Sequence, residues 1–323
     1  MNLQEIREPV KEELKEFNKY FNQILSSNHE LIKFITNIFI RKKGKQIRPL
    51  LVFLSAKING EINEKTYTGA ALVELLHTAT LVHDDVVDNS ELRRNTFSIK
   101  ALWKSKIAVL FGDYLLAKGL LTSVEKGAMD LLQLTSEAVE KMVEGELKQL
   151  KRSRLVNINI DEYFEIIEAK TASLMAAACA IGAKSSTEDT SKVLIMKELG
   201  KNIGICFQIK DDILDIEKSA NSGKQKANDI IESKITLPLI LALDQSSSRE
   251  KKDVLKLLHK KEKKYQEINE IIKFIVNKNG IKLAYDVLNE YKSKSLEILN
   301  KYPESPALIS LQKLIDFITV RNF

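Results

Sequence analysis

The sequence is poor in the residues that punctuate or cross-link a chain. Its 323 residues include 2 cysteines, 5 prolines, 12 glycines and 1 tryptophan. Cys179 and Cys206 each sit inside an apolar pattern, which excludes a disulfide framework and points to small core residues in a reducing compartment. Scarce proline and glycine exclude a fold built on many tight turns and favour helices. No run of about 18 consecutive apolar residues occurs, and the opening MNLQEIREPVKEELKEF has no apolar signal region, so a cytoplasmic protein not integral to a membrane is expected. A strong charge of one sign is also lacking: 50 basic residues against 44 acidic give a net +6. Much of that excess lies between Lys251 and Lys264. Without interleaved aromatics it is expected to be a solvated helix face, and no nucleic-acid partner is expected.

Apolar residues recur at three- and four-residue spacing almost throughout, as in Ile24, Leu31, Phe34, Ile35, Ile38 and again in Ala71, Leu72, Leu75, Leu76, Ala79. NINIDEYFEIIE could open as a strand, but an acid before an apolar-periodic run favours a helix starting near Asp161. Breaks are expected at KKGKQIRP, KING, NSELRRN, KSSTEDT, KSANSGKQKAND, DQSSSRE and KYPESP, none long enough to link two domains. The expected fold is all-α, a single domain over residues 1–323 with about a dozen helices bundled around a central cavity.

One short pattern occurs twice, each time after an apolar run: Asp84-Asp85-x-x-Asp88 and Asp211-Asp212-x-x-Asp215. On a helix, residues four apart share a face, so each repeat stacks like charges that repel, the more so when partly buried. Mg²⁺ removes that cost, because it is held by one or two carboxylates and completes its shell with waters and substrate phosphates. A Ca²⁺ loop fits worse, since no glycine occupies the turn and no glutamate closes it. Basic residues follow both repeats, Arg93 and Arg94 after the first, Lys224 and Lys234 after the second. Such a mixture suits a metal-bound diphosphate.

In order, the chain carries GKQIRP, ELLHTATLVHDDVVD, LRR, ALW, GDYLLAK, EGE, AKTASL, FQIKDDILD, GK and SKITLPL. In this it resembles the trans-isoprenyl diphosphate synthases, or polyprenyl synthetases, from about Lys42 to Pro238, and most resembles the long-chain, octaprenyl or solanesyl type. The resemblance implies ionisation of an allylic diphosphate (farnesyl, geranyl or dimethylallyl), attack on the carbocation by isopentenyl diphosphate, and loss of a proton. It implies Mg²⁺ on Asp84, Asp88 and Asp211, with Asp85, Asp212 and Asp215 completing the clusters directly or through water. Arg93, Lys170, Lys224 and Lys234 match positions that grip the allylic diphosphate, and Lys45, Arg48, His77 and Arg94 match the isopentenyl diphosphate positions. A histidine among leucines is ordinarily a core side chain, but His77 lies in helical register with Asp84 and Asp88. Thr171 and Gln208 match residues whose oxygens face the carbocation, neutral dipoles that do not capture it. The run AKTASLMAAACAIGA would let helices approach closely there, helping to exclude water.

Two departures stand out. Asn95, Thr96, Phe97 and Ser98 replace the family's Gly-x-Pro-Thr after the paired arginines, and Gln225 and Ala227 replace a Pro and a Gly. Ala79 and Thr80, about one turn below the first aspartates, are small where short-product enzymes of the family carry a bulky aromatic. A helix of about 35 Å from Thr66 to Asp88 could line a deep tunnel, so an octaprenyl to decaprenyl product serving as a quinone side chain is expected. A shorter farnesyl or geranylgeranyl product and a non-catalytic subunit of a heteromeric synthase are the alternatives. A class I terpene cyclase is disfavoured by the second aspartate repeat. The resemblance further implies a homodimer, and so apolar a product suggests transient membrane contact for release.

Overall fold

A computed structural model of the chain describes residues 2–41, 44–87, 92–93, 96–97, 99–152, 159–222 and 227–321. The helices are α1 (Leu3–Arg7), α2 (Lys11–Ile24), α3 (Glu30–Arg41), α4 (Ile47–Asn59), α5 (Glu64–Val87), α6 (Ile99–Glu125), α7 (Met129–Arg152), α8 (Ile160–Ile167), α9 (Ser173–Ser186), α10 (Thr190–Ser222), α11 (Asn228–Ile231), α12 (Leu237–Asp244), α13 (Ser248–Leu258), α14 (Tyr265–Asn277), α15 (Gly280–Leu299) and α16 (Pro306–Val320). A single 3-10 turn, Glu8–Val10, joins α1 to α2, and a π-helical segment, Glu168–Ala172, joins α8 to α9. Among the described residues the only strand pairing is a two-residue antiparallel ribbon, Leu92 opposite Phe97 and Arg93 opposite Thr96, where the chain departs from the family's Gly-x-Pro-Thr. The all-α expectation holds.

Local chemistry fixes many helix ends. Ser247 caps α13 in a reciprocal pair with Glu250, and Ser305 caps α16 ahead of Pro306. At α8 the cap is Asn159, paired with Glu162, so Asp161 belongs to the first turn and is not the boundary. The lysine-rich stretch is also divided: α13 ends at Leu258 and α14 begins at Tyr265, leaving an irregular turn where a continuous helix face was expected.

The core is organised around α9, which packs against α4, α5, α7 and α10. Every residue from Leu174 to Ala183 is buried. Small side chains make that possible, as the sequence suggested. A Cβ on Gly182 would lie 2.3 Å from the Val52 carbonyl oxygen and 2.8 Å from the Ser55 Cβ, so α4 crosses α9 backbone to backbone. Because its surroundings are core on all sides, the apolar stretch Ile160–Ser186 is long enough to cross a membrane by composition yet is 72% buried. Ala101–Glu125 passes the same test with 39% buried, and its outer face carries exposed Leu110, Leu120, Leu121 and Val124.

Gly182→Ala gains about 1 kcal/mol of helix propensity but overpacks a backbone crossing, at about 1–3 kcal/mol. The expected outcome is a net loss of stability, read as a lower urea midpoint at unchanged m-value. An unchanged or higher midpoint would show that α4 and α9 can separate freely.

Candidate active site

The first acidic repeat ends α5, a helix of 24 residues and so about 36 Å long. Asp84 is half-buried and Asp85 is buried at 7% exposure. Asp88, Arg94 and Lys224 lie outside the described residues, and Arg93 is described in its backbone alone. The neighbouring His83 explains a second motif. Its Nε2 is 3.4 Å from Asp113 Oδ1, and a Cβ on Gly112 would sit 2.2 Å from that nitrogen, so the Gly-Asp of GDYLLAK seats the imidazole against α6.

Lys170 and Thr171 lie in the π-helical segment, where one extra residue per turn re-aims consecutive side chains. The bulge is held from both sides. A Cβ on Gly145 of α7 would meet the Ala169 Cβ at 2.7 Å, and one on Gly204 of α10 would meet the Ala172 Cα at 2.4 Å. From α7, Glu146 pairs with Lys170 at 2.5 Å and Gln149 accepts from its Nζ at 2.9 Å. Thus the Glu-Gly-Glu motif supplies both the space for the bulge and the counter-charge for its lysine.

Thr171 donates to Gln208 Oε1 at 2.7 Å, and Gln208 Nε2 donates to Asp212 Oδ1 at 2.9 Å. Tyr163 donates to Asp212 Oδ2 at 2.7 Å, and the Leu237 amide approaches the same oxygen at 3.4 Å. Both Asp212 oxygens therefore accept from protein donors already. The carboxyl is 3% exposed, and burial raises its pKa to about 7 despite those donors. Burial and the facing carboxylate push the Tyr163 hydroxyl well above the usual range.

Asp215 accepts from the amides of Asn228 (3.2 Å) and Asp229 (3.1 Å) at the start of α11, and burial raises its pKa. Asp229 is raised to about 6, first by burial and next by the charge of Asp215. Asp229 lines a cleft of about 220 Å³ together with Tyr163, Lys170, Thr171, Gln208, Asp212 and the segment from Ser233 to Thr236. Buried carboxylates whose charges raise one another are a donor set that a hard dication would neutralise, and Asp211 and Asp215 lie one helical turn apart on α10.

A second hollow, of about 590 Å³, gathers Lys45, Arg48 and His77 with Arg7, Phe207, Phe317 and Arg321. Gln46, at φ 43° and ψ 43°, turns the chain into α4, while Arg7 donates to the Lys45 carbonyl at 2.5 Å. Arg48 Nη1 lies 2.9 Å from His77 Nε2. A guanidinium can only donate, so His77 accepts there and carries its proton on Nδ1. Arg321 lines this hollow and reaches α10. It pairs with Asp211 at 2.8 Å, donates to the Phe207 carbonyl at 3.0 Å and stacks 4.1 Å above that ring. Burial raises Asp211, and the charges of Arg321, Lys218 and Lys45 oppose the shift.

The structure thus brings Lys45, Arg48 and His77 into one hollow, and Lys170, Thr171, Gln208, Asp212 and Lys234 into another. The sequence reading missed Tyr163, Asp229 and Arg321. It also gave no role to Glu146, although the Glu-Gly-Glu motif that contains it was in view.

Two hollows lined by adjacent residues of α10 in an all-helical core, one rich in arginine and the other holding two lysines beside buried carboxylates, fit an enzyme that joins two diphosphate-bearing substrates, a trans-prenyltransferase. Residues 29–275 match the polyprenyl synthetase family. The chain is 33% identical over 316 residues to the all-trans-nonaprenyl-diphosphate synthase (geranyl-diphosphate specific) of Rhodobacter capsulatus, spanning 96% of each chain. It is 32% identical over 307 residues to the geranylgeranyl diphosphate synthase of Saccharolobus solfataricus, spanning 88% of this chain and 92% of the other. A polyprenyl synthase from Caulobacter crescentus CB15, crystallised with calcium and isoprenyl diphosphate, superposes with a TM-score of 0.90 at 32% identity, covering 100% of this chain and 98% of that one. The chain belongs to the polyprenyl synthetase family and is an enzyme working on isoprenyl diphosphates.

The raised Asp212 gives a pH prediction. The unfolded carboxyl loses its proton near pH ~3.9, whereas the folded one, in the metal-free protein, holds it until about 7. Between those values the native state binds more protons, so this group's contribution to stability falls as pH rises. Urea unfolding of metal-free protein at stepped pH across that window should show a shallower decline for Asp212→Asn than for the wild type. Equal slopes would refute the assignment of this burial effect to Asp212.

Proposed function

We propose that the enzyme is a Mg²⁺-dependent trans-polyprenyl diphosphate synthase that extends an allylic diphosphate with successive isopentenyl diphosphates. The observation that carries this reading is that adjacent residues of α10 line two hollows, Phe207 the one holding Lys45, Arg48 and His77, and Gln208 the one holding Lys170 and Lys234. Such neighbouring hollows would let a leaving diphosphate and an attacking homoallylic diphosphate be bound side by side.

The residues divide the work by charge. Lys170 and Lys234 face the cleft, where they attract the oxygens of the allylic diphosphate and stabilise the charge that develops as its carbon–oxygen bond breaks. Asp84, Asp88 and Asp211, with Asp215 one helical turn from Asp211, would hold Mg²⁺, which when bound would supply Lewis-acid neutralisation of the same leaving group. Asp212, saturated by Tyr163, Gln208 and the Leu237 amide, serves by fixing Gln208 and through it Thr171. Those two present neutral dipoles to the carbocation. Lys45, Arg48 and His77 hold isopentenyl diphosphate so that its double bond can attack. Arg93, Arg94 and Lys224 keep the diphosphate-binding parts expected from the family's motifs.

The product is proposed to be long, octaprenyl to decaprenyl, destined for a quinone side chain. What supports this length is the small size of Ala79 and Thr80 on α5, Thr80 one helical turn before Asp84, where no bulky side chain blocks a growing chain. The enzyme is proposed to act in the cytoplasm, with membrane contact limited to product release. The exposed apolar face of α6 supports a homodimer through Leu110, Leu120, Leu121 and Val124.

Incubation with farnesyl diphosphate, isopentenyl diphosphate and Mg²⁺ should give products longer than geranylgeranyl diphosphate, and chelation should abolish them. A product stopping at geranylgeranyl would favour the short-chain reading, and no metal-dependent condensation would sink the enzyme assignment to these residues. Ala79→Phe should shorten the product by two or more isoprene units. An unchanged chain-length distribution would remove Ala79 from the tunnel wall.

A further inference from the structure

In the lysine-rich stretch the half-buried Lys263 turns its ammonium toward the protein. Lys263, in the irregular turn between α13 and α14, reaches behind the cleft and makes three hydrogen bonds through its Nζ: to the Ile231 carbonyl at 3.1 Å, Ser233 Oγ at 2.8 Å and the Lys260 carbonyl at 3.1 Å. The first of these acceptors is the last residue of the four-residue helix α11, whose terminal carbonyls have no helical partner. The second belongs to a residue at φ 59°, a left-handed conformation that residues other than glycine seldom adopt. Ser233 is held there at both ends of its hydroxyl, since it also donates to the Leu258 carbonyl at 2.8 Å.

What this turn controls is the wall of the cleft. Asp229, at the start of α11, and Ser233, Lys234, Ile235 and Thr236 beyond it all line the cavity. The amide of Lys234 returns to the Asp229 carbonyl at 2.8 Å, so the left-handed step at Ser233 closes a compact loop. That step determines the direction in which the next side chain, Lys234, leaves the backbone. Held by a flexible surface turn alone, so short a helix would fray readily. With an ammonium bound to its end, the loop has a fixed support outside the cavity.

We propose that Lys263 is a positioning residue for the allylic-diphosphate wall: it locks the Ile231–Ser233 turn so that Lys234 and Asp229 face the cleft, without itself touching substrate. This rests on the reading of the cleft around Lys170 and Lys234 as the allylic site. The lock acts on one hollow only. Lys45 just before α4, Arg48 on α4 and His77 on α5 have no part in this turn.

Steady-state kinetics with each substrate varied in turn test the idea. Lys263→Met, which keeps the apolar stem, and Lys263→Ala should both raise KM for the allylic diphosphate about five- to tenfold, with KM for isopentenyl diphosphate changed less than about twofold and Tm within about two degrees. Lys263→Arg, able to donate to the same two acceptors in the turn, should recover most of the loss. An unchanged allylic KM, or equal rises for both substrates, would overturn the proposal. Lys234→Ala separates the two levels of inference. If it leaves the allylic KM unchanged, the cleft is not the allylic site; if it raises that KM while both Lys263 variants do not, only the role of Lys263 fails.

Discussion

The active site depends on how closely three helix backbones can meet at the π-helical segment. A lysine and a threonine adjacent in sequence both line one cleft, and the π-helical segment narrows the angle of about 100° by which consecutive side chains diverge on a regular helix. The bulge comes at the cost of a weaker local ladder, and Gly145 and Gly204, having no side chains, leave the room in which it packs against α7 and α10. The Lys170 ammonium is then tied to Glu146 and Gln149 on the same helix that provides one of those glycines. Packing and electrostatics therefore enforce the same geometry, and the small-residue surface of α9 extends the close approach into the core.

The acidic residues around this bulge are not equivalent. Asp211 is turned toward Arg321 and the cationic hollow, Asp212 is enclosed by neutral donors, and Asp215 anchors the start of α11. Three aspartates within five residues thus meet three environments, with burial raising the pKa of each. Desolvation on this scale stabilises the protonated forms until an external positive charge arrives. The apparent redundancy of the repeat conceals separate contacts, one toward Arg321, one toward side-chain orientation and one toward loop closure.

Much of this was legible in the sequence because helices report themselves through spacing. The apolar period and the doubled aspartate pattern follow from residues near one another in the chain or on one helical face, whereas the grouping of Lys45, Arg48 and His77 was implied by the family resemblance alone. The unread part depends on contacts that cross the fold. A π-bulge has the composition of the helix around it, and only the facing glycines reveal it. Arg321 meets Phe207 across 114 positions, and no local pattern marks it. Tyr163 looks like one more aromatic on an amphipathic helix, and Lys263 is hidden by the lysines around it, since composition describes a face on average and not the member that turns inward.

Thr171, Gln208, Asp212 and Tyr163 form an unbroken hydrogen-bonded series linking three helical segments. Each member is oriented by the next, so the series behaves as one unit and not as four independent contacts. Substitutions within it are expected to be non-additive: once one link is lost, removing a second costs little more, while changing a residue's size or polarity without altering its neighbour costs nearly everything. For the history of such a chain this means that these positions can drift only in concert, through paired replacements that preserve each donor and acceptor. The solvated lysines a few ångströms outside have no such constraint.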